Sequence, residues 1–346
     1  MINGFVDLRS DTVTQPLPEM RKLMEEAEVG DDVLGEDPSI NRLQKIAADR
    51  MGKEAGLFVP SGTMGNLIAV LCHCRRGEEA LMGNLAHTFI YEGGGVSAHG
   101  GVLVHTVPNQ PNGIIKIEDI QVAIRPEDVH QPVTRMVILE NTQNRCGGAV
   151  LSAEYTREVG KLAHGHNMLL HIDGARVFNA AAALGVDAKT LVDAADSVTF
   201  CLSKGLCAPV GSVLCGSEEF IRSARRLRKA LGGGMRQAGI LAAAGIYALE
   251  NMVDRLTEDH KRARSLSEGL SKIPGIIMKD AVPPSNMVFA SIDDSIPFSA
   301  QQIVERLKSE QVKIGIVGPR QFRMVTHYWF NDEDVDKTIN AFKKVI

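Results

Sequence analysis

Leu169-Leu170-His171-Ile172-Asp173-Gly174-Ala175-Arg176 begins as a short strand-like run, Leu169 to Ile172, and ends on a carboxylate followed by glycine. In an open α/β sheet, ligands sit outside the carboxyl ends of the strands, so Asp173 stands where a site is expected. The helical run Ala153 to Gly165 precedes this strand, and Met136 to Leu139 reads as the strand before that. On the other side, Ser197 to Leu202 is a buried strand ending near Lys204, and Val210 to Cys215 is a further strand. Toward the N-terminus come Leu57 to Pro60, the helix Gly62 to Cys74, and the strands Ala80 to Gly83 and Val102 to Val107. Strands alternating with helices predict a mostly parallel sheet with helices on both faces.

Beyond residue 216 the rhythm changes. Glu218 to Leu231 is a basic helix ended by Gly232-Gly233-Gly234, and Gln237 to Leu270 reads as one long helix. Met287 to Ile292, the helix Ala300 to Gln311, Lys313 to Val317, Arg323 to Thr326 and the helix Asp332 to Val345 follow. That order predicts a small α+β unit. The expectation is an α/β protein with a large domain over residues 1–250, including the N-terminal segment, and a small C-terminal domain over 251–346.

The composition agrees with a folded globular chain. It has 346 residues, is 44% hydrophobic, and carries 38 basic against 42 acidic residues for a net charge of -4. That balance excludes intrinsic disorder and offers no basic surface for nucleic acid. No apolar stretch reaches ~20 residues, so no transmembrane helix and no membrane partner are expected. The start, with Asp7 early and no basic region, does not read as a signal peptide. The cysteines 72, 74, 146, 201, 207 and 215 sit in apolar or glycine-rich contexts, which points to a reducing compartment and a cytoplasmic protein. Cys72-His73-Cys74 has the wrong spacing for zinc and reads as buried thiols; no metal is expected.

Several residues carry chemistry. Lys204, in Ser203-Lys204-Gly205-Leu206, follows a buried strand. It either reaches back to water or is an amine desolvated enough to form a Schiff base with pyridoxal phosphate. Asp173 can pair with a pyridinium nitrogen, and Arg176 lies three residues on; a capping Asp with a surface Arg is the alternative. Pro60-Ser61-Gly62-Thr63-Met64-Gly65-Asn66 joins a strand to a helix through a small polar turn, which offers free N–H groups and hydroxyls to a phosphate. It is neither a Walker loop nor a dinucleotide fingerprint. His87 can lie flat on an aromatic ring or fill a core position. Arg323, among apolar neighbours, suits a carboxylate or a solvated strand face.

Taken in order, Leu8-Arg9-Ser10-Asp11-Thr12-Val13-Thr14, Gly30-Asp31-Asp32-Val33, Phe58 through Asn66, His171 through Arg176, Ser203 through Leu206, and Gly232 through Gly239 resemble the low-specificity L-threonine aldolases. These are pyridoxal-phosphate enzymes of the aspartate-aminotransferase fold class (fold type I), and the resemblance covers nearly the whole chain. It implies that Lys204 holds pyridoxal 5'-phosphate covalently, with Ser203 beside it, and that Asp173 pairs with the ring nitrogen. Arg176 would contact the phenolic oxygen and the substrate carboxylate. Ser61, Gly62 and Thr63 would bind phosphate, and His87 would stack on the ring. Ser10 and Arg323 would hold the substrate carboxylate, and His130 would lie near the substrate hydroxyl. Lys229 and Arg236 would reach a neighbouring subunit's phosphate, making a homo-oligomer with the dimer as minimal unit, paired into a tetramer. The implied reaction is cleavage of L-threonine or L-allo-threonine to glycine and acetaldehyde, with His87, His130 or a water as base.

The sequence departs from the family's pattern at three places. Leu34 stands where a tyrosine is usual, Gln143 where a histidine is usual, and Tyr328-Trp329-Phe330 is unusually aromatic. Rival readings are β-elimination or transamination on the same fold, a binding protein without activity, and a nicotinamide-dependent oxidoreductase. The last lacks a glycine fingerprint.

Overall fold

The structure, a computed structural model, describes residue 2 and residues 4–346. After β1 (Val6–Asp7) come β2 (Ala55–Val59), β3 (Glu79–Gly83), β4 (Leu103–Val107), β5 (Thr134–Glu140), β6 (Leu169–Asp173), β7 (Ser197–Cys201) and β8 (Ser212–Gly216). The last seven form one sheet in the order β2-β8-β7-β6-β5-β3-β4. From β7 to β4 every pair is parallel, and β8 runs antiparallel to both of its neighbours. The cause is local: residues 202–211, between β7 and β8, hold no helix to carry a parallel crossover. Buried strands such as β3, with no exposed residue, show why stretches such as Ala80 to Met82 read as continuous apolar runs.

The second unit is a four-stranded antiparallel sheet, β12-β13-β10-β9. Its strands are β9 (Ile276–Met278), β10 (Met287–Ile292), β12 (Gly315–Gly318) and β13 (Gln321–Val325), and β11 (Val312–Lys313) precedes β12. The single strand expected over Lys313 to Val317 is split at Ile314, because its two parts serve different partners. β11 pairs in parallel with β1, whereas β12 pairs with β13. Leu8 N–H donates to the Lys313 carbonyl and Val325 N–H donates to the Leu8 carbonyl, so the Val6–Leu8 segment lies between β11 and β13. Val6 and Leu8 are buried in one core with Leu266, Ile303, Phe322 and Phe342. The first strand therefore packs with the C-terminal unit, although the expected boundary assigned it to the other.

The long helix expected from Gln237 to Leu270 is interrupted. It consists of Gly239–Tyr247, a π-helical turn Ala248–Met252, and Leu256–Ser271. The first part is apolar all round and packs in the large core through Ala242, Ala244 and Ile246. The last part is amphipathic and delivers Ala263, Leu266 and Leu270 to the second core. One straight helix cannot face both cores, and the π turn redirects it.

Candidate active site

Three consecutive parallel strands end at the same level. β5 finishes on Glu140, β6 on Asp173, and Lys204 follows β7 by three residues. Glu140 and Asp173 are paired in register, as are Asp173 and Thr199. Across these ends lies the Gly62–His73 helix. Ser61 caps it, its Oγ accepting from Met64 N–H at 3.2 Å, and the first N–H groups of a helix have no partner within the helix. Gly65 lets the helix sit close on the sheet, since a Cβ there would meet Thr199 Cγ2 at 2.6 Å. A Cβ on Gly62 would stand 3.0 Å from Cys201 Sγ.

These elements enclose a cavity of about 360 Å³. Its walls bring together Ser61, Gly62, Thr63, His87, Asp173, Ser203 and Lys204 of the expected site, with Thr12, Asn66 and Glu92 added. A larger groove beside Arg50 and Lys189 holds none of these groups. Asp173 is buried. Its Oδ2 accepts from Asn66 Nδ2 at 2.9 Å and its Oδ1 from Ala175 N–H at 3.1 Å. Asn66 Nδ2 also donates to Glu92 Oε1 at 2.9 Å, and Glu92 Oε1 receives His87 Nδ1 at 2.9 Å. That bond to Glu92 holds the His87 imidazole above its ordinary pKa, against the opposing effect of burial. Lys204 is half-buried, and among the described residues its ammonium has no ion-pair partner. Its carbonyl is anchored by Thr14 Oγ1 at 2.9 Å.

Arg176, Arg323 and Ser10, expected to hold a carboxylate, do not line this cavity and are placed differently from the expectation. Arg176 is buried and already held by Asp11, Nε to Oδ2 at 2.8 Å and Nη2 to Oδ1 at 2.6 Å. Burial alone would push Asp11 up, but the Arg176 charge holds it down at about 2. Arg323 donates to Asn144 Oδ1 at 2.8 Å and to the Arg9 carbonyl at 3.0 Å, while its buried Nε has no hydrogen-bond partner. Each guanidinium thus spends two of its five N–H donors, but the Arg176 charge is matched by Asp11 whereas Arg323 has no ion-pair partner among the described residues. Ser10 caps the short turn Asp11–Val13, accepting from Thr12 N–H at 3.2 Å.

Glu140 links the two sides. Its Oε2 accepts from His87 N–H at 2.9 Å and from Gln143 Nε2 at 3.1 Å, and its Oε1 accepts from Asn144 N–H at 3.0 Å. Burial first, and the Asp173 charge second, push its carboxyl up to about 7. Asp11, Asn66, Glu92 and Glu140 are site residues that the sequence reading did not select. Asp11 and Asn66 stand inside the motifs quoted above, whereas nothing near Glu92 marks it.

His130 is not brought to this cavity by its own chain. It precedes β5, at the amino end of the sheet, whereas Asp173 and Lys204 lie at the carboxyl end. There it is exposed and bonds Asp128 Oδ1 through Nδ1 at 2.8 Å. The basic segment 225–236 is also less free than its composition suggests. Arg228 is buried, donating to Asp32 Oδ2 and the Phe58 carbonyl, and Arg236 pairs with Asp31 at 2.9 Å. Lys229 lies in the last turn of the helix Glu218–Ala230. Of the expected buried thiols, Cys74 is buried and Cys72 only half-buried, both pushed up to about 12 by burial, and His73 between them bonds Ser197 Oγ.

The family model described as beta-eliminating lyase matches residues 7–293. A protein of Arabidopsis thaliana named probable low-specificity L-threonine aldolase 2 is 50% identical over 343 residues, covering 98% of this chain and 97% of that one. The low specificity L-threonine aldolase of Escherichia coli K12 is 44% identical over 323 residues, with 93% and 94% covered. The solved threonine aldolase of Leishmania major superposes with a TM-score of 0.84 over 99% of this chain and all of its own, at 20% identity. With a site assembled at the strand ends and relatives alike along almost their full length, the chain belongs to the beta-eliminating lyase family, among the low-specificity L-threonine aldolases.

Proposed function

We propose that this protein cleaves L-threonine and L-allo-threonine to glycine and acetaldehyde, using pyridoxal 5'-phosphate. The observation that carries the reading is one cavity holding a lysine amine without an ion-pair partner, a buried carboxylate and a capped helix start. Those groups fit the cofactor. The open N–H groups of the Gly62–His73 helix, with the hydroxyls of Ser61, Thr63 and Ser203, would hold its phosphate. Lys204 would hold its aldehyde carbon, the Asp173 carboxylate would accept the ring N–H, and the His87 imidazole offers a flat face to the ring. When bound, pyridoxal 5'-phosphate supplies the electron sink for the pair left on Cα as the Cα–Cβ bond breaks.

The chain's own residues do the rest. Arg323 takes the substrate carboxylate, with Ser10 and Arg176 beside it. His87 donates Nδ1–H to Glu92, which leaves the Nε2 lone pair to take the β-hydroxyl proton directly or through a water. His130 can take part only from a second copy of the chain. We infer a homo-oligomer, a dimer paired into a tetramer, in which Lys229 and Arg236 approach the neighbour's phosphate. Exposed Leu34, Phe89, Ile90 and Tyr91 supply apolar surface for such contacts. No helix among the described residues is long and apolar enough to cross a membrane, and the six free cysteines suit the cytoplasm.

The test is product analysis. Purified protein loaded with pyridoxal 5'-phosphate is given each threonine diastereomer. Glycine and acetaldehyde in equal amounts are expected from both. A keto acid as the main product would replace this reading with elimination or transamination.

A further inference from the structure

Behind Asp173 a line of hydrogen bonds runs beneath the Gly62–His73 helix to the opposite end of the sheet. Asn66 Nδ2 meets Asp173 Oδ2 at 2.9 Å, and Asn66 Oδ1 meets His171 Nε2 at 3.2 Å. His171 Nδ1 meets Ser197 Oγ at 2.8 Å, and the same oxygen meets His73 Nε2 at 2.8 Å. The placement follows from two periods. Asn66 and His73 are seven residues apart, two helical turns, and share one helix face. His171 and Asp173 are two apart on β6 and share one sheet face, and His171 is in register with Ser197 on β7. Apart from Asp173, none of these groups takes part in the chemistry described above.

Each link has a single consistent direction. A carboxylate only accepts, so the Asn66 amide nitrogen faces Asp173 and Glu92 and its oxygen faces His171. His171 must then donate from Nε2. Full burial keeps its imidazole neutral, with its pKa pushed down to about 3. A neutral ring with its proton on Nε2 has only a lone pair at Nδ1, so Ser197 donates to it. Having spent its proton there, Ser197 accepts from His73 Nε2–H. His73 is stacked on Phe220 at 4.6 Å, and burial pushes its pKa down to about 4. Every donor along the line points toward Asp173.

We propose that His171, Ser197 and His73 are positioning residues which, acting through Asn66, keep the Asp173 carboxylate oriented and anionic toward the cofactor's ring nitrogen. The proposal rests on the pyridoxal-phosphate reading above. Aligned hydrogen bonds in a low-dielectric interior polarise one another, so the positive ends of four dipoles add at Asp173. They do this without a cation, which would compete with the ring for the carboxylate.

Two measurements test this. The first is 15N NMR of the histidine-labelled chain, without and with pyridoxal 5'-phosphate. His171 and His73 should each be neutral and carry the proton on Nε2 at pH 7, and Ser197→Ala should change the His171 nitrogen shifts. The second uses the loaded enzyme. Ser197→Ala should lower kcat for L-threonine about fivefold, the worth of one hydrogen bond. It should leave KM nearly unchanged and move the visible absorbance maximum of the bound cofactor. His73→Phe keeps the ring on Phe220 and should do the same more weakly, while His73→Gln, which restores a donor, should return both readouts toward the unmodified protein. His73 is only half-buried, so this pair carries the test if Ser197→Ala does not fold. A His171 proton on Nδ1 or on both nitrogens overturns the proposal. So does an unchanged kcat and absorbance maximum in both Ser197→Ala and His73→Phe. The NMR measurement needs neither cofactor nor turnover, so failure of the relay and failure of the aldolase reading are told apart.

Discussion

Replacing Asp11 by asparagine removes one charge from an almost fully buried ion pair. Asp11 is fully buried, Arg176 is 8% exposed, and the two are joined by two hydrogen bonds. Against the effect of burial, the Arg176 charge beside it holds the Asp11 carboxyl at about 2, below its ordinary 3.8. That difference corresponds to roughly 2 kcal/mol of stability, present above pH ~4 and lost as pH falls through ~2. Leaving Arg176 buried without its carboxylate costs more, about 3–5 kcal/mol. This is a large share of the ~5–15 kcal/mol that holds a typical domain. Urea unfolding of cofactor-free protein at pH 7 should show that loss in Asp11→Asn. Repeated toward pH 2.5, the gap to the unmodified protein should narrow, because Asp11 of the unfolded chain is then protonated and the pair's contribution shrinks. Asp11→Asn with Arg176→Gln should recover part of the loss, since no charge remains buried. A variant within about 1 kcal/mol of the unmodified protein at pH 7, or a gap that does not narrow with acid, would refute the reasoning.

Lys204→Ala should lose the visible absorbance of bound cofactor, and borohydride should no longer fix it to the protein; cofactor mapped to another lysine would remove Lys204 from its role. Arg323→Lys should raise KM for threonine about 10- to 150-fold, from roughly 1.5–3 kcal/mol for hydrogen bonds to a charged group. Unchanged kinetics would place the carboxylate elsewhere. If His87 is the base, activity should fall as pH drops through its raised pKa, above 6.5, and Glu92→Gln should move that limb to lower pH. A limb that stays in place assigns the base to another group. Mixing inactive Lys204→Ala with inactive Arg236→Ala subunits should restore activity if sites are shared between chains, and an active monomer in light scattering would contradict it.

What could be read from the sequence was what local chemistry fixes. β6 and β7 are largely apolar, Asp173 ends the one and Lys204 follows the other by three residues, so sheet and cavity centre were both visible. Ser61 and Gly62 were visible because a capped helix start is local. β1 was not, because two residues become a strand only by pairing with Val312 and Lys313. The Pro38–Met51 helix passed unread although Asp37 caps it and Gly52, at φ 61°, ends it. Asp11, Asn66 and Glu92 matter through partners 165, 107 and 26 residues away, which spacing does not reveal. His130 shows the converse. A matching motif places a residue along the chain, but only topology says at which end of the sheet it emerges.

The segment Val6–Asp11 joins both ends of the chain to the site. Its backbone is laid between β11 and β13, its Arg9 carbonyl holds Arg323 across 314 residues, and its Asp11 holds Arg176. During synthesis Asp11 waits 165 residues for Arg176, and the Arg9 carbonyl waits 314 residues for Arg323. The cavity at the ends of β6 and β7 can form once the main sheet is made, whereas Arg323, proposed above to hold the substrate carboxylate, is set only when β13 arrives. Nascent protein could thus acquire its cofactor well before it can recognise an amino acid, and the final act of folding would be the one that confers selectivity.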